Sequence, residues 1–214
     1  MALEFVEHVP TNKPDSLIIL LHGYGADKND LIGLSPQLGH ALPNTVFVSP
    51  DAISACEEGI GRQWFALQSM DMDNIHTGLN IASPHVDAFI DEQMERFNLS
   101  AERVALLGFS QGSMLSMHVA PRRVNQLAGV VGFSGMLAGS HTLGDEIKTK
   151  PPFVLIHGDM DQVVDAEFLN LASTALIENG CDVDTLLCPN LGHGIDNEGL
   201  ITATAFLQKC FKVS

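Results

Sequence analysis

Basic residues are scarce in this 214-residue chain: 11 Lys and Arg face 26 Asp and Glu, a formal net charge of −15 with histidine neutral. Such a field repels phosphate backbones and anionic lipid, which argues against nucleic acid or a membrane surface as main partner. Long apolar runs are absent too. The longest, Leu17-Ile18-Ile19-Leu20-Leu21, falls far short of the roughly 18 residues that cross a bilayer and suits a buried strand. Cysteine is sparse, and Cys56, Cys181, Cys188 and Cys210 show no C-x-x-C spacing. That indicates reduced thiols, with neither a zinc site nor a disulfide framework. The opening residues Met1-Ala2-Leu3-Glu4-Phe5 lack the basic and apolar regions of a secretory signal, so a soluble, cytoplasmic protein is expected. With 45% hydrophobic and 17% charged residues, the chain is too apolar for disorder. No repeat or low-complexity tract divides it, and its length suits one domain over 1–214.

What is present is an alternation. Short β-rich runs at Leu17–Leu21, Val46–Val48, Val104–Leu107, Leu127–Phe133, Phe153–Ile156 and Val183–Leu187 read as strands. Between them lie segments of helical period: Leu31, Leu34, Leu38 and Leu42; Ile81–Phe97, with Ile81, His85, Ala88 and Phe89 as its inner face; and Gln111–Val119, ended near Pro121. Phe168, Leu171, Ala172, Ala175 and Leu176 make an amphipathic helix closed by Asn179-Gly180, and Gly199–Phe211 is the last helix. Such alternation implies an α/β fold, with a mostly parallel central sheet and helices on both faces. One segment, 51–77, has no clean period and reads as a long loop insertion. Because it holds the only tryptophan, Trp64, it is expected to fold over the carboxyl ends of the strands, where open parallel sheets bind ligands.

The strongest chemical signal is Gly108-Phe109-Ser110-Gln111-Gly112. The pattern G-x-S-x-G is weak alone, but here a strand precedes it and a helix follows. That is the setting of a nucleophile elbow, where serine occupies a strained turn and the flanking glycines let strand and helix approach. A merely tight strand–helix turn is the alternative. The similar Gly132-Phe133-Ser134-Gly135-Met136 lacks the final glycine.

A serine hydroxyl needs a base. His193, between Gly192 and Gly194 after the last strand, suits that role. His22 and His157 each open a turn-shaping H-G pair, and His118 lies inside a helix. The third member must be a carboxylate that fixes the imidazole tautomer. Asp159 and Asp161 both follow the Phe153–Ile156 strand, and position alone does not separate them. The order serine, acid, histidine is that of α/β-hydrolases.

Together, Leu21-His22-Gly23-Tyr24-Gly25-Ala26-Asp27, the Ser110 pentapeptide, His157-Gly158-Asp159-Met160-Asp161 and Gly192-His193-Gly194 resemble the small carboxylesterases related to acyl-protein thioesterases and lysophospholipases. The likeness runs through nearly the whole chain. It implies a minimal single-domain α/β-hydrolase without a separate lid domain, and it selects Asp161 as the acid. It also implies an oxyanion hole formed by the backbone N–H groups of Tyr24 and Gln111. Tyr24 stands where leucine is commoner in the family. From the motif Arg62-Gln63-Trp64-Phe65 the resemblance further implies an acyl groove walled by Trp64, Phe65, Leu67 and Met70, to which Met72 could add. The alternative is that Trp64 and Phe65 only anchor the loop in the core.

The expected activity is hydrolysis of carboxylic esters of short to medium acyl chain through an acyl-enzyme. Acyl-protein thioesterase or lysophospholipase action shares the same chemistry, and a catalytically silent ligand-binding protein is the non-enzyme rival. A small-molecule ester or thioester is the partner, no metal or cofactor is called for, and the resemblance allows a weak homodimer.

Overall fold

The computed structural model describes residues 3–57, 59–67, 69 and 71–213. In chain order its elements are β1 (Phe5–His8), β2 (Ser16–Leu21), α1 (Ser35–Ala41), β3 (Thr45–Pro50), β4 (Ser54–Ala55), β5 (Arg62–Gln63), α2 (Met72–Phe97), β6 (Val104–Phe109) and α3 (Gln111–Val119). There follow β7 (Gly129–Phe133), α4 (Ser140–Glu146), β8 (Phe153–Gly158), α5 (Glu167–Glu178), β9 (Val183–Cys188) and α6 (Asn197–Phe211). Seven strands form one sheet in the order β1-β3-β2-β6-β7-β8-β9, and β4 pairs with β5 in a separate hairpin. Only β1 runs antiparallel to its neighbour in the large sheet.

The continuous apolar strands are explained by burial on both faces. Side chains alternate between them: Leu17, Ile19 and Leu21 of β2 join one core with Val104 and Leu106 of β6, under α2, α3 and α5. Ile18 and Leu20 join the other with Ala105 and Leu107, under α1 and α6. Each face removes apolar area from water worth roughly 25 cal/mol per Å². A single-domain α/β architecture with helices on both sides therefore holds as expected.

Three details depart from the periodicity. Helix α2 begins at Met72, so the irregular segment ends near residue 71 and already contains the β4–β5 hairpin. Asp71 caps that helix, its side chain accepting from Asp73 N at 3.0 Å. The buried face of α2 is Ile75, Gly78, Leu79, Ala82, Val86, Phe89, Ile90 and Gln93. Of the residues expected there only Phe89 is buried, and Ile81 is 61% exposed. Small residues on the packed side (Gly78 and Ala82) hid that stripe from a hydrophobicity reading.

The sheet order also positions a site. From β2 the chain steps to β3 on one side, where β1 forms the edge, whereas β6 to β9 extend on the other. The carboxyl ends of β2 and β6 thus flank the point where crossovers diverge, the place where open parallel sheets bind ligands.

Candidate active site

At the end of β6 the backbone turns through Ser110 with φ 51° and ψ −116° before α3 begins. A non-glycine residue at such a φ costs about 1–3 kcal/mol and persists only when its surroundings impose it. Here they do. Ser110 N donates to Phe133 O at 2.9 Å, which extends the β6–β7 ladder, and Met114 N donates to Ser110 O at 3.0 Å, which starts the helix. A Cβ on Gly108 would strike the carbonyl of Gly112, and one on Gly112 would strike that of Leu21. Only glycine permits both approaches. The Ser110 side chain does not cap α3 and is half-buried, so its hydroxyl is not spent on the helix end. The look-alike Ser134 has a similar φ of 49° but is buried with its hydroxyl unpartnered among the described residues.

His193 lies in the loop after β9 and stacks on Phe109, the residue before the serine, with ring centroids 4.8 Å apart. Its Nδ1 lies 2.7 Å from Asp161 Oδ2. Because a carboxylate only accepts, Nδ1 carries a proton, and in the neutral ring the lone pair then lies on Nε2. Asp161 is held in turn: Oδ1 accepts from Val163 N at 2.9 Å and Val164 N at 3.0 Å. Its side chain is fully buried. Burial pushes this carboxyl up, but hydrogen bonds from His193, Val164 and Val163 outweigh that and hold it below the usual range. Asp159 is instead exposed, and its Oδ1 accepts from Asn190 N at 2.7 Å, bracing the loop that leads to His193. Geometry therefore separates two aspartates that position alone left equivalent.

A second imidazole reaches the same carboxylate. His157 Nε2, at the end of β8, lies 3.3 Å from Asp161 Oδ2 and 2.9 Å from Val164 O. Both oxygens accept, so Nε2 is its protonated nitrogen. Sequence reading assigned His157 only to a turn; its spacing of four residues before Asp161 was the available signal.

The loop after β2 closes the opposite side. A Cβ built on Gly23 would lie 3.1 Å from Phe109 Cδ1 and 3.3 Å from Ser110 Cβ, so the Gly23–Tyr24 backbone runs directly beside the serine. Gln111 opens α3 on the other flank, where the first N–H groups of a helix have no partner within it. Its buried side chain accepts from Trp64 N at 2.8 Å and donates from Nε2 to Phe65 O at 2.8 Å. Those two bonds tie the Trp64–Phe65 segment to the serine turn and draw both rings into the core. Trp64 and Phe65 are buried, and Trp64 Nε1 donates to His22 O at 3.0 Å. Burial of both rings favours the alternative in which these two residues anchor the loop in the core. Leu67 and Met72 are half-buried against the same core, and Met70 lies outside the described residues. Among the described residues no group of three or more His, Cys, Asp or Glu is arranged to hold a metal ion.

A family model described as Phospholipase/Carboxylesterase matches residues 3–211. The chain belongs to that family. Within the phospholipase/carboxylesterase family it is similar to esterase YpfH of Escherichia coli strain K12, with 28% identity over 95% of this chain and 87% of the relative. It is also 28% identical to acyl-protein thioesterase 1 of Gibberella zeae, over 68% of this chain and 67% of that one. The crystal structure of esterase PE8 superposes with a TM-score of 0.95 at 34% identity, covering 98% of this chain and all of the other, 100%. The protein is accordingly a hydrolase of ester bonds. No helix among the described residues is long and apolar enough to cross a membrane.

Proposed function

We propose that the chain is a serine carboxylesterase acting on carboxylic esters of short to medium acyl chain, with Ser110 as nucleophile, His193 as base and Asp161 as orienting carboxylate. The observation that carries this reading is the 2.7 Å His193–Asp161 hydrogen bond beside the strained Ser110 turn. Ser110 Oγ attacks the ester carbonyl while His193 Nε2 takes its proton, and buried Asp161 stabilises the imidazolium that forms. The carbonyl oxygen becomes an oxyanion, for which the N–H groups of Gln111 and Tyr24 are the donors. As the tetrahedral species collapses, the C–O bond to the alcohol breaks and His193 returns the proton to the leaving group. Water, deprotonated by the same nitrogen, then attacks the acyl-enzyme and releases the acid and Ser110. Leu67, half-buried beyond the Trp64–Phe65 anchor, keeps the acyl-contact role that the motif suggests. The four cysteines are free thiols, in keeping with the reducing cytoplasm we assign to the protein.

The test is a panel of p-nitrophenyl esters from acetate to palmitate, with Ser110→Ala and fluorophosphonate labelling as controls. Turnover greatest on the shorter esters, lost in Ser110→Ala together with labelling, is the expected outcome. A Leu67→Ala variant should shift the chain-length optimum. The similarity to an acyl-protein thioesterase favours a second reading with the same acyl-enzyme and a thiol leaving group. A higher kcat/KM for long-chain thioesters than for any aryl ester would select it.

A further inference from the structure

We infer that His22 is a positioning residue that sets the direction of the Tyr24 N–H toward the oxyanion; this rests on the acyl-transfer reading above. His22 directly follows β2 and is fully buried, packed on Trp64 with ring centroids 5.5 Å apart. Its Nε2 faces a backbone donor, Ala52 N at 3.2 Å, and its Nδ1 faces a backbone acceptor, Gly23 O at 2.7 Å. One arrangement of protons satisfies both contacts: a neutral ring with hydrogen on Nδ1 and a lone pair on Nε2. Burial lowers its pKa and favours that neutral form, against the raising effects of the Gly23 hydrogen bond and of Asp51, Asp30 and Asp27. The fold therefore fixes the tautomer from both sides.

The consequence lies one peptide further on. Gly23 and Tyr24 are joined by a trans peptide, a rigid plane in which the carbonyl of the first residue and the N–H of the second point in opposite directions. Holding Gly23 O at 2.7 Å from Nδ1 turns the Tyr24 N–H away from the imidazole. Ala26 N adds a weaker bond to the same carbonyl at 3.3 Å, and Gly25 N donates to Arg62 O at 2.9 Å, so the following turn is clamped as well. Since Gly23 lies against Ser110 Cβ, the plane's orientation decides whether a donor faces the reacting carbonyl. Without the Nδ1–H bond the peptide can rotate, and the donor is lost with no side chain in the crevice having changed. The Trp64 indole, bonded to the carbonyl of His22 itself, holds the ring's own backbone. Ser110, His193 and Asp161 make the nucleophile; His22 acts only through the peptide.

Three variants separate this role from plain packing. His22→Asn places an amide nitrogen near the position of Nδ1 and keeps the donor to Gly23. His22→Gln places an amide oxygen near Nε2, keeping an acceptor for Ala52 while losing that donor. His22→Phe keeps the ring and loses both. For p-nitrophenyl butyrate, kcat should fall by roughly 100-fold in the Gln and Phe variants, as for a lost oxyanion donor. KM should stay within about threefold, and Asn should recover at least about tenfold over Gln. Affinity for a trifluoromethyl ketone, which adds to Ser110 as a tetrahedral oxyanion, should fall in parallel with kcat, independently of Tm. Equal kcat in the Asn and Gln variants, or losses that follow Tm alone, would overturn the inference. If the Phe variant does not fold, the Asn–Gln pair decides. A wild-type chain that neither turns over ester nor takes a fluorophosphonate on Ser110 overturns the acyl-transfer reading and this inference with it. An active wild type with an unimpaired His22→Gln overturns the inference alone.

Discussion

Two aspartates stand two residues apart beyond β8, and their surroundings divide their roles. Asp161 is buried, accepts two backbone N–H bonds and pairs with His193; Asp159 is exposed and braces a loop. Replacing Asp161 by Asn leaves the shape intact but favours the wrong imidazole tautomer, so kcat should drop by roughly 10³–10⁴ at neutral pH. Asp159→Asn should leave kcat within about threefold, as expected where no interaction with the transition state is removed. Equal losses in the two variants would refute the division. His157→Leu is a third case: it leaves the carbonyl of Val164 without its imidazole donor and should cost about 1–3 kcal/mol of stability, read by urea titration. Ser110 and His193 stand out as candidates because their signals are local, a pentapeptide between strand and helix and a glycine-flanked histidine after the last strand. Asp161 needed either the resemblance or coordinates, since two carboxylates in one loop differ only in their partners. His22 reads in the sequence only as the opening of a turn-shaping H-G pair. What it does is set by Ala52, 30 residues away, and by the plane of its own neighbour, neither of which leaves a mark in residue spacing.

At the scale of elements, the hydrophobic pattern reported whatever is buried on two faces and missed whatever is short or built from small residues. Strands β2, β3, β6, β7 and β8 were visible as buried apolar runs, whereas the edge strand β9 is read from Val183, Leu186 and Leu187 and is largely exposed. Strand β1, with the burial of an edge (two half-buried residues, then two exposed), and the seven-residue α4 gave no comparable signal. Helix α2 was read nine residues late because Gly78 and Ala82 occupy its packed face. Gly78 is required there: a Cβ would come within 2.6 Å of the Phe65 ring. The same contact explains why the segment before α2 is an anchor. Trp64→Ala should therefore act first on stability. Deleting a fully buried indole costs roughly 3–5 kcal/mol, and here it also removes the donor to His22 O. The measurable expectation is a large fall in Tm, with kcat reduced at temperatures where the fold survives and with chain-length preference unchanged. A shifted preference at unaltered Tm would return Trp64 to the groove.

Over the whole molecule, acidity and buried histidine act together on stability. The net charge of −15 is spread over a solvated surface, where salt screens it within about 8 Å at physiological ionic strength. Histidines inside the fold are not screened in that way. His118, in the last turn of α3, is buried, and burial together with the positive Arg122 and neighbouring His76 lowers its pKa to about 3, against a smaller raising effect of Glu146. His76 in turn packs edge-on against exposed His141. Between about pH 6.5 and about 3 the unfolded chain binds a proton at His118 that the native chain refuses. Stability then rises with pH, and acidification through that window removes up to about 1.4 kcal/mol per pH unit for such a group. His22, lowered by burial, adds with the same sign. Asp161, held below the usual carboxylate range, contributes stability that is complete above its unfolded pKa. That contribution is lost as pH falls from the unfolded value of 3.8 through the lower native one, so it sets in only at the acid end of the histidine window. Urea unfolding at constant 0.15 M salt should accordingly show the wild type losing stability steadily from pH 6.5 to 4.5. His118→Leu removes the titrating ring and its Nδ1, which has no hydrogen-bond partner among the described residues, and its stability should depend less steeply on pH across that range while the loss below pH 4 remains. A variant whose slope matches that of the wild type would mean that the acid sensitivity lies in the surface charge and not in the buried ring.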